Sequence, residues 1–166
     1  LLEENKVGIT ENTMILLPAK DPQYASKWYD IHGNEHVSTV RPLELVKEAC
    51  LQQGASYNGL VESVRYNFGY QKKVPLMIKP QKHFFCFPTR SPEDAECIWI
   101  FPHHVHSQHK YHEGTMVKFS NGQYMQVPIA INIMTRQSER AFNCAYRDVS
   151  SIISFLVEWT KVPHKK

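Results

Sequence analysis

Apolar positions along this chain fall into short runs, and the run period changes from segment to segment. "TMILLPA" near the start reads as a strand, followed by a polar stretch and a second strand around "EHVSTV". "RPLELVKEACLQQG" switches to the helical period. Leu43, Val46, Ala49 and Cys50 make an apolar stripe, Pro42 suits the first turn and Gly54 stops it, giving a short helix near 42–53. "SYNGL" then supplies a turn. "VPLMIKPQKHFFCFPT" reads as two short strands about a Lys-Pro turn, with Phe84, Phe85 and Phe87 as core residues, and "ECIWIF" as a third strand. In "TMVKFSNGQYMQVP", Asn121-Gly122 sits between two strand-like runs, the signature of a type I′ hairpin. "DVSSIISFLVEWTK" predicts a C-terminal helix near 148–160, with Asp148 as its cap and Val149, Ile152, Ile153 and Leu156 on one face. These elements predict an α+β fold over residues 1–166 as a single domain, with a strand-rich antiparallel middle.

Composition fits an ordinary globular protein: 166 residues, 42% hydrophobic and 21% charged. No run approaches the roughly 20 apolar residues that span a bilayer. The opening "LLEENKVGIT" carries acids where a secretory signal needs basic and apolar regions, and lacks an initiator Met, as expected of a processed or trimmed chain. Cys50, Cys86, Cys97 and Cys144 show no C-x-x-C spacing and no disulfide framework. They are expected to be reduced thiols, mostly buried, in a cytoplasmic protein.

Charge changes the picture through its distribution. The net value is only +3, but residues 63–92 carry Arg65, Lys72, Lys73, Lys79, Lys82 and Arg90 with no acid. Residues 1–62 are net acidic, and residues 114–138 hold only Lys118 and Arg136. An acid-free basic block suits an anionic partner, and equally suits a solvated edge that deters strand pairing. Tyr66, Phe68, Tyr70, Phe84 and Phe85 interleave with the block, a mixture compatible with phosphate neutralisation and some stacking.

Five of the nine histidines, His103, His104, His106, His109 and His112, crowd into "HHVHSQHKYH". As a helix, His106, His109 and His112 would fan over about 120°. As a strand, His104 and His106 would share a face. Neither arrangement is a zinc signature, H-E-x-x-H is absent, and weak binding of added Zn²⁺ or Ni²⁺ is all the cluster predicts. No nucleophile elbow, P-loop or dinucleotide fingerprint occurs. An enzyme, such as a His-rich metal-dependent one, would rest on histidine count alone, so no catalytic residue, metal or cofactor is assigned.

Four segments occur in order at a consistent spacing: "RPLELVKEACLQQGASYNGLVESV", "VPLMIKPQKHFFCFPT", "CIWI" leading to "HHVH", and "VKFSNGQYMQVPIAIN". Together they resemble the ComK family of bacterial competence transcription factors, over about residues 12–147. The resemblance implies a cytoplasmic, non-enzymatic activator of competence (DNA uptake) genes. It would bind AT-rich promoter boxes of double-stranded DNA, largely through the minor groove, as a homo-oligomer, a dimer or a pair of dimers. "HHVH" matches a His-Val-His segment that the family places in the fold or DNA surface. Family members can also carry a C-terminal element read by a Clp-protease adaptor. "EWTKVPHKK" holds no such element, so that hand-off is lost or uses another site. On the resemblance, Asn121 and Gly122 at the hairpin tip, with Gln137 and Arg140 after "INIMTR", are DNA-binding candidates. The cationic candidates Arg65, Lys72, Lys73, Lys79, Lys82, Arg90, Lys118 and Arg136 come from charge alone. The alternative function is a divergent regulator acting through protein partners without specific DNA binding.

Overall fold

The computed structural model describes residues 8–161. Its main sheet has six strands in the order β3-β2-β1-β6-β5-β4, all neighbours antiparallel: β1 (Thr13–Pro18), β2 (Ser26–Asp30), β3 (Glu35–Ser38), β4 (Leu76–Lys79), β5 (Phe84–Pro88) and β6 (Trp99–Ile100). A second sheet is the meander β7 (Val105–Tyr111), β8 (Gly114–Phe119) and β9 (Tyr124–Val127). Four helices complete the α+β fold: α1 (Pro42–Gln52), α2 (Tyr57–Phe68), α3 (Ile131–Ala145) and α4 (Arg147–Lys161).

Strand alternation divides the core in two. On β5, Phe84 and Cys86 face one side, with Leu16, Trp28, Trp99 and the apolar stripe of α1. Phe85 and Phe87 face the other, against Val117 and Phe119 of β8, Val127 of β9, and Met134 and Ala141 of α3. The large sheet is therefore sandwiched between α1 with α2 on one face and the small sheet with α3 on the other. A bulge in β1 between Thr13 and Ile15 lets Met14 and Ile15 both serve the second core. The Phe residues of β5 are at most 1% exposed, each stabilising the fold by about 2 kcal/mol. All four cysteines are buried and unpaired.

α1 forms where its stripe predicts, with Pro42 in its first turn and Gly54 just beyond its end at φ 88°. The C-terminal helix begins one residue earlier than expected, so Asp148 is its second residue and not its cap; the side chains of Val149 and Ile152 lie outside the described residues. Three elements differ more. "SYNGL" opens α2 and is not a turn. The Ser56 hydroxyl accepts the Gly59 N–H at 3.0 Å, and a left-handed Gly69 ends the helix at φ 72°. β2 lies in the stretch that reads as polar, because its partial apolar pattern is completed by pairing on both edges. The β8–β9 turn is not type I′. Only Gly122 has positive φ, 90°, and its N–H reaches the Phe119 carbonyl at 2.9 Å, giving a three-residue loop with one left-handed glycine.

Candidate nucleic-acid interface

A groove of about 600 Å³ opens where the end of α2, the following loop and one face of α3 meet. Tyr70, Gln71, Lys72, Lys73, Ile133, Arg136, Gln137 and Arg140 line it, so the wall holds four cations and no carboxylate. Two chain segments supply the wall, the loop after α2 and α3, and its frame depends on two side chains of α3. Gln137 sits in the buried stripe Met134, Gln137, Ala141 and Cys144, at helical spacing. Its amide nitrogen donates to the carbonyls of Lys73 at 2.9 Å and Pro88 at 3.3 Å, while its oxygen accepts from Arg140 at 2.7 Å. Arg140 also donates to the Lys72 carbonyl at 3.3 Å. The loop backbone is thus fixed from beneath, with Lys73 held in the left-handed region at φ 49°.

The same corner contains a ladder of planar groups. The Arg140 guanidinium lies 4.1 Å from the Tyr70 ring centroid, Tyr70 stacks on Phe68 at 5.8 Å, and the Arg147 guanidinium lies 5.3 Å from Phe68. Tyr70 is therefore engaged by both Arg140 and Phe68. Arg65 extends the frame by donating from Nε to the Gln71 carbonyl at 3.2 Å. Burial lowers the Arg140 pKa, yet a guanidinium keeps its charge in proteins; its Nε is buried with no partner among the described residues. The result is a pinned loop with Lys72 exposed and Lys73 half-buried, facing the groove together with the exposed Arg136 of α3.

The remaining candidates lie elsewhere. Lys79 ends β4 and Lys82 closes the short 3₁₀ turn Pro80–Lys82, so β4 separates them from Lys72 and Lys73. The block that is continuous in sequence is two patches in space. Arg90 is 3.7 Å from Asp94. Lys118 projects from the outer face of the small sheet, 5.6 Å from the Tyr124 ring. Asn121 is not a free tip. Its amide donates to Gln123 Oε1 at 2.6 Å and to the Ile31 carbonyl at 3.4 Å, tying the hairpin to the β2–β3 turn. Gln137, 3% exposed with both ends of its amide bonded, is a frame residue with no group left to face DNA.

The histidine run adopts no single secondary structure. His103 and His104 fall in the 3₁₀ turn Pro102–His104, His106 and His109 are exposed on β7, and His112 occupies a turn at φ 51°. His104 donates from Nε2 to the Glu11 carbonyl at 2.6 Å, and the His103 ring stacks on His83. Among the described residues, no three His, Cys, Asp or Glu side chains converge as a metal site requires. Nor is any described helix long and apolar enough to cross a membrane. Arg147 is the component of this corner that sequence reading missed. It lies 79 positions from Phe68, and no local pattern links the two.

Residues 4–150 match the family described as "ComK protein". The chain is 34% identical over 104 residues to a protein of Bacillus subtilis (strain 168) named "Competence transcription factor". That alignment covers 61% of this chain and 53% of the relative, so the chain spans about half the length of the curated relative it matches. No solved structure matches it. With a match that runs from the residues before β1 through α3, the chain belongs to the ComK family.

Proposed function

We propose that this chain is a competence transcription regulator, cytoplasmic and not an enzyme, which binds AT-rich promoter DNA largely through the minor groove as a homo-oligomer. One observation carries the DNA reading: a carboxylate-free groove in which Lys72, Lys73, Arg136 and Arg140 converge on a rigid frame. Family membership and the named function of the relative agree with it. Lysines and arginines held in this way neutralise phosphates, which accounts for affinity and positioning. The A·T preference follows from narrow minor grooves that concentrate negative potential.

A mobility-shift series with AT-rich and GC-rich duplexes at two salt concentrations tests this. Tighter binding to the AT-rich duplex, falling steeply with salt, is expected. Equal binding to both, or none at low salt, would replace this reading with regulation through protein partners.

A further inference from the structure

The histidine corner lies at the far end of β4 from the cationic groove. His83 ends the 3₁₀ turn between β4 and β5 in the left-handed region, at φ 58°. There its imidazole stacks on that of His103, with ring centroids 4.2 Å apart and planes within 4° of parallel. His104 stands edge-on to His103 at 5.1 Å, and its bond to the Glu11 carbonyl fixes which nitrogen carries the proton. Both His83 and His103 are exposed, beside the exposed Lys82.

The surroundings of this stack favour an anion. The elements near it carry Glu11 on the amino-terminal loop, Lys79 and Lys82 on the β4–β5 connection, Glu139 on α3, and Tyr146 with Arg147 at the α3–α4 junction, while Arg136 and Arg140 of α3 line the groove instead. His103 has its pKa lowered, first by burial and then by the charges of His83 and His104. His104 is lowered by burial and by His83, against the opposing pull of the Glu11 carbonyl. No carboxylate contributes to either shift. Two imidazoles face to face cannot both take protons without repulsion unless a negative group bridges their N–H edges. Two rings 4.2 Å apart are close enough for one tetrahedral oxyanion to take a donor from each.

We propose that His83 and His103, assisted by Lys82, form a proton-gated clamp for a phosphate group. Resting on the DNA-binding reading above, that group is a backbone phosphodiester at a second point of contact. The clamp is weak while the rings are neutral and closes as binding draws a proton onto the pair. DNA affinity then becomes sensitive to pH in the range where histidine titrates.

The test is affinity for an AT-rich duplex and, separately, for inorganic phosphate, at pH 6.0 and 7.5 and constant ionic strength. It compares the parent chain with His83→Gln, His83→Gln/His103→Gln and Lys72→Ala/Lys73→Ala. The parent is expected to bind duplex roughly tenfold more tightly at pH 6.0, corresponding to an average uptake of about two-thirds of a proton across the interval. Both histidine variants should lose most of that gain, while the lysine variant keeps it at lower absolute affinity. Matching pH dependence for phosphate alone assigns the site to the phosphate group itself; dependence with duplex only assigns it to the nucleic-acid backbone. The clamp is overturned if the single and double histidine variants retain the parent's full pH dependence, whether or not the duplex preference holds. Should the chain bind no duplex at all, the phosphate arm still decides, and pH-independent or absent phosphate binding then rejects the clamp.

Discussion

The cationic groove and the histidine corner hold positive charge in opposite ways. In the groove, charge is permanent and the backbone is fixed, with Gln137 and Arg140 bonded to the carbonyls of Lys72 and Lys73. At the corner, on the clamp proposed above, two exposed stacked rings would carry charge only with a proton and an anion present. The chain between groove and corner runs through β4, whose four residues span roughly 13 Å at about 3.3 Å each. On the proposed readings, a constant contact precedes β4 and a conditional one follows it. The comparison teaches that a run of basic residues in sequence need not be one surface.

The largest break in this comparison is expected from Gln137→Leu. It leaves the Lys73 and Pro88 carbonyls and the Arg140 donor without their partner in a buried site, costing about 2–3 kcal/mol. Urea denaturation should show the midpoint falling with an unchanged slope; an unchanged midpoint would mean that the frame is not held from α3. Lys72→Ala with Lys73→Ala should weaken duplex binding at least about tenfold and reduce the slope of log affinity against log salt by about 2, leaving the urea midpoint alone. The paired substitution Lys79→Ala with Lys82→Ala, measured at pH 7.5, should do less, and equal losses would erase the distinction between the two ends. Tyr70→Leu should cost about 1 kcal/mol of stability by removing a ring held between Arg140 and Phe68. If duplex affinity instead fell with stability intact, Tyr70 would be a contact and not a support.

The smallest effect concerns pH without DNA. The pKa values of His103 and His104 are lowered on folding, so the unfolded chain binds more protons in the histidine range. Stability is therefore fully present above the ordinary histidine pKa and declines as pH falls through it toward the lowered folded values. Urea midpoints at pH 7.5 and 5.5 should show this decline, and His104→Gln, which keeps an N–H for the Glu11 carbonyl, should reduce it. A midpoint that rises toward pH 5.5 would contradict the lowering of these histidine pKa values on folding.

The parts of the fold legible in the sequence are those with strong local period. β5 and α1 are examples, because alternation and a helical stripe report burial directly. α2 was hidden by Asn58-Gly59, a turn signal overridden by the Ser56 cap and by packing of Tyr57, Leu60 and Val61 on the first core. α3 was hidden by Asn132, Thr135, Ser138 and Asn143, which surround a narrow buried stripe that itself includes a glutamine. The site was half legible. Charge nominated the loop lysines that line the groove, but β4 divides the block, and the bonds that hold Gln137 off the surface reach Lys73 and Pro88, 64 and 49 positions away. The stacked His83–His103 pair has no sequence signature either, since it joins two separate turns.

The Arg140–Tyr70–Phe68–Arg147 ladder has a consequence for the order of folding. It joins the end of α2 to the start of α4 across some eighty residues, and both sheets lie between or beside those ends. Closing so long a loop carries an entropic cost that must be met before the contact gives anything back. Short-range structure, such as the β7–β8–β9 meander and α1, can form early from neighbouring residues. The ladder cannot, and the groove takes its shape only when the ladder closes. A partly folded chain then has its lysines but not their arrangement, so the shape of the groove arrives late in folding.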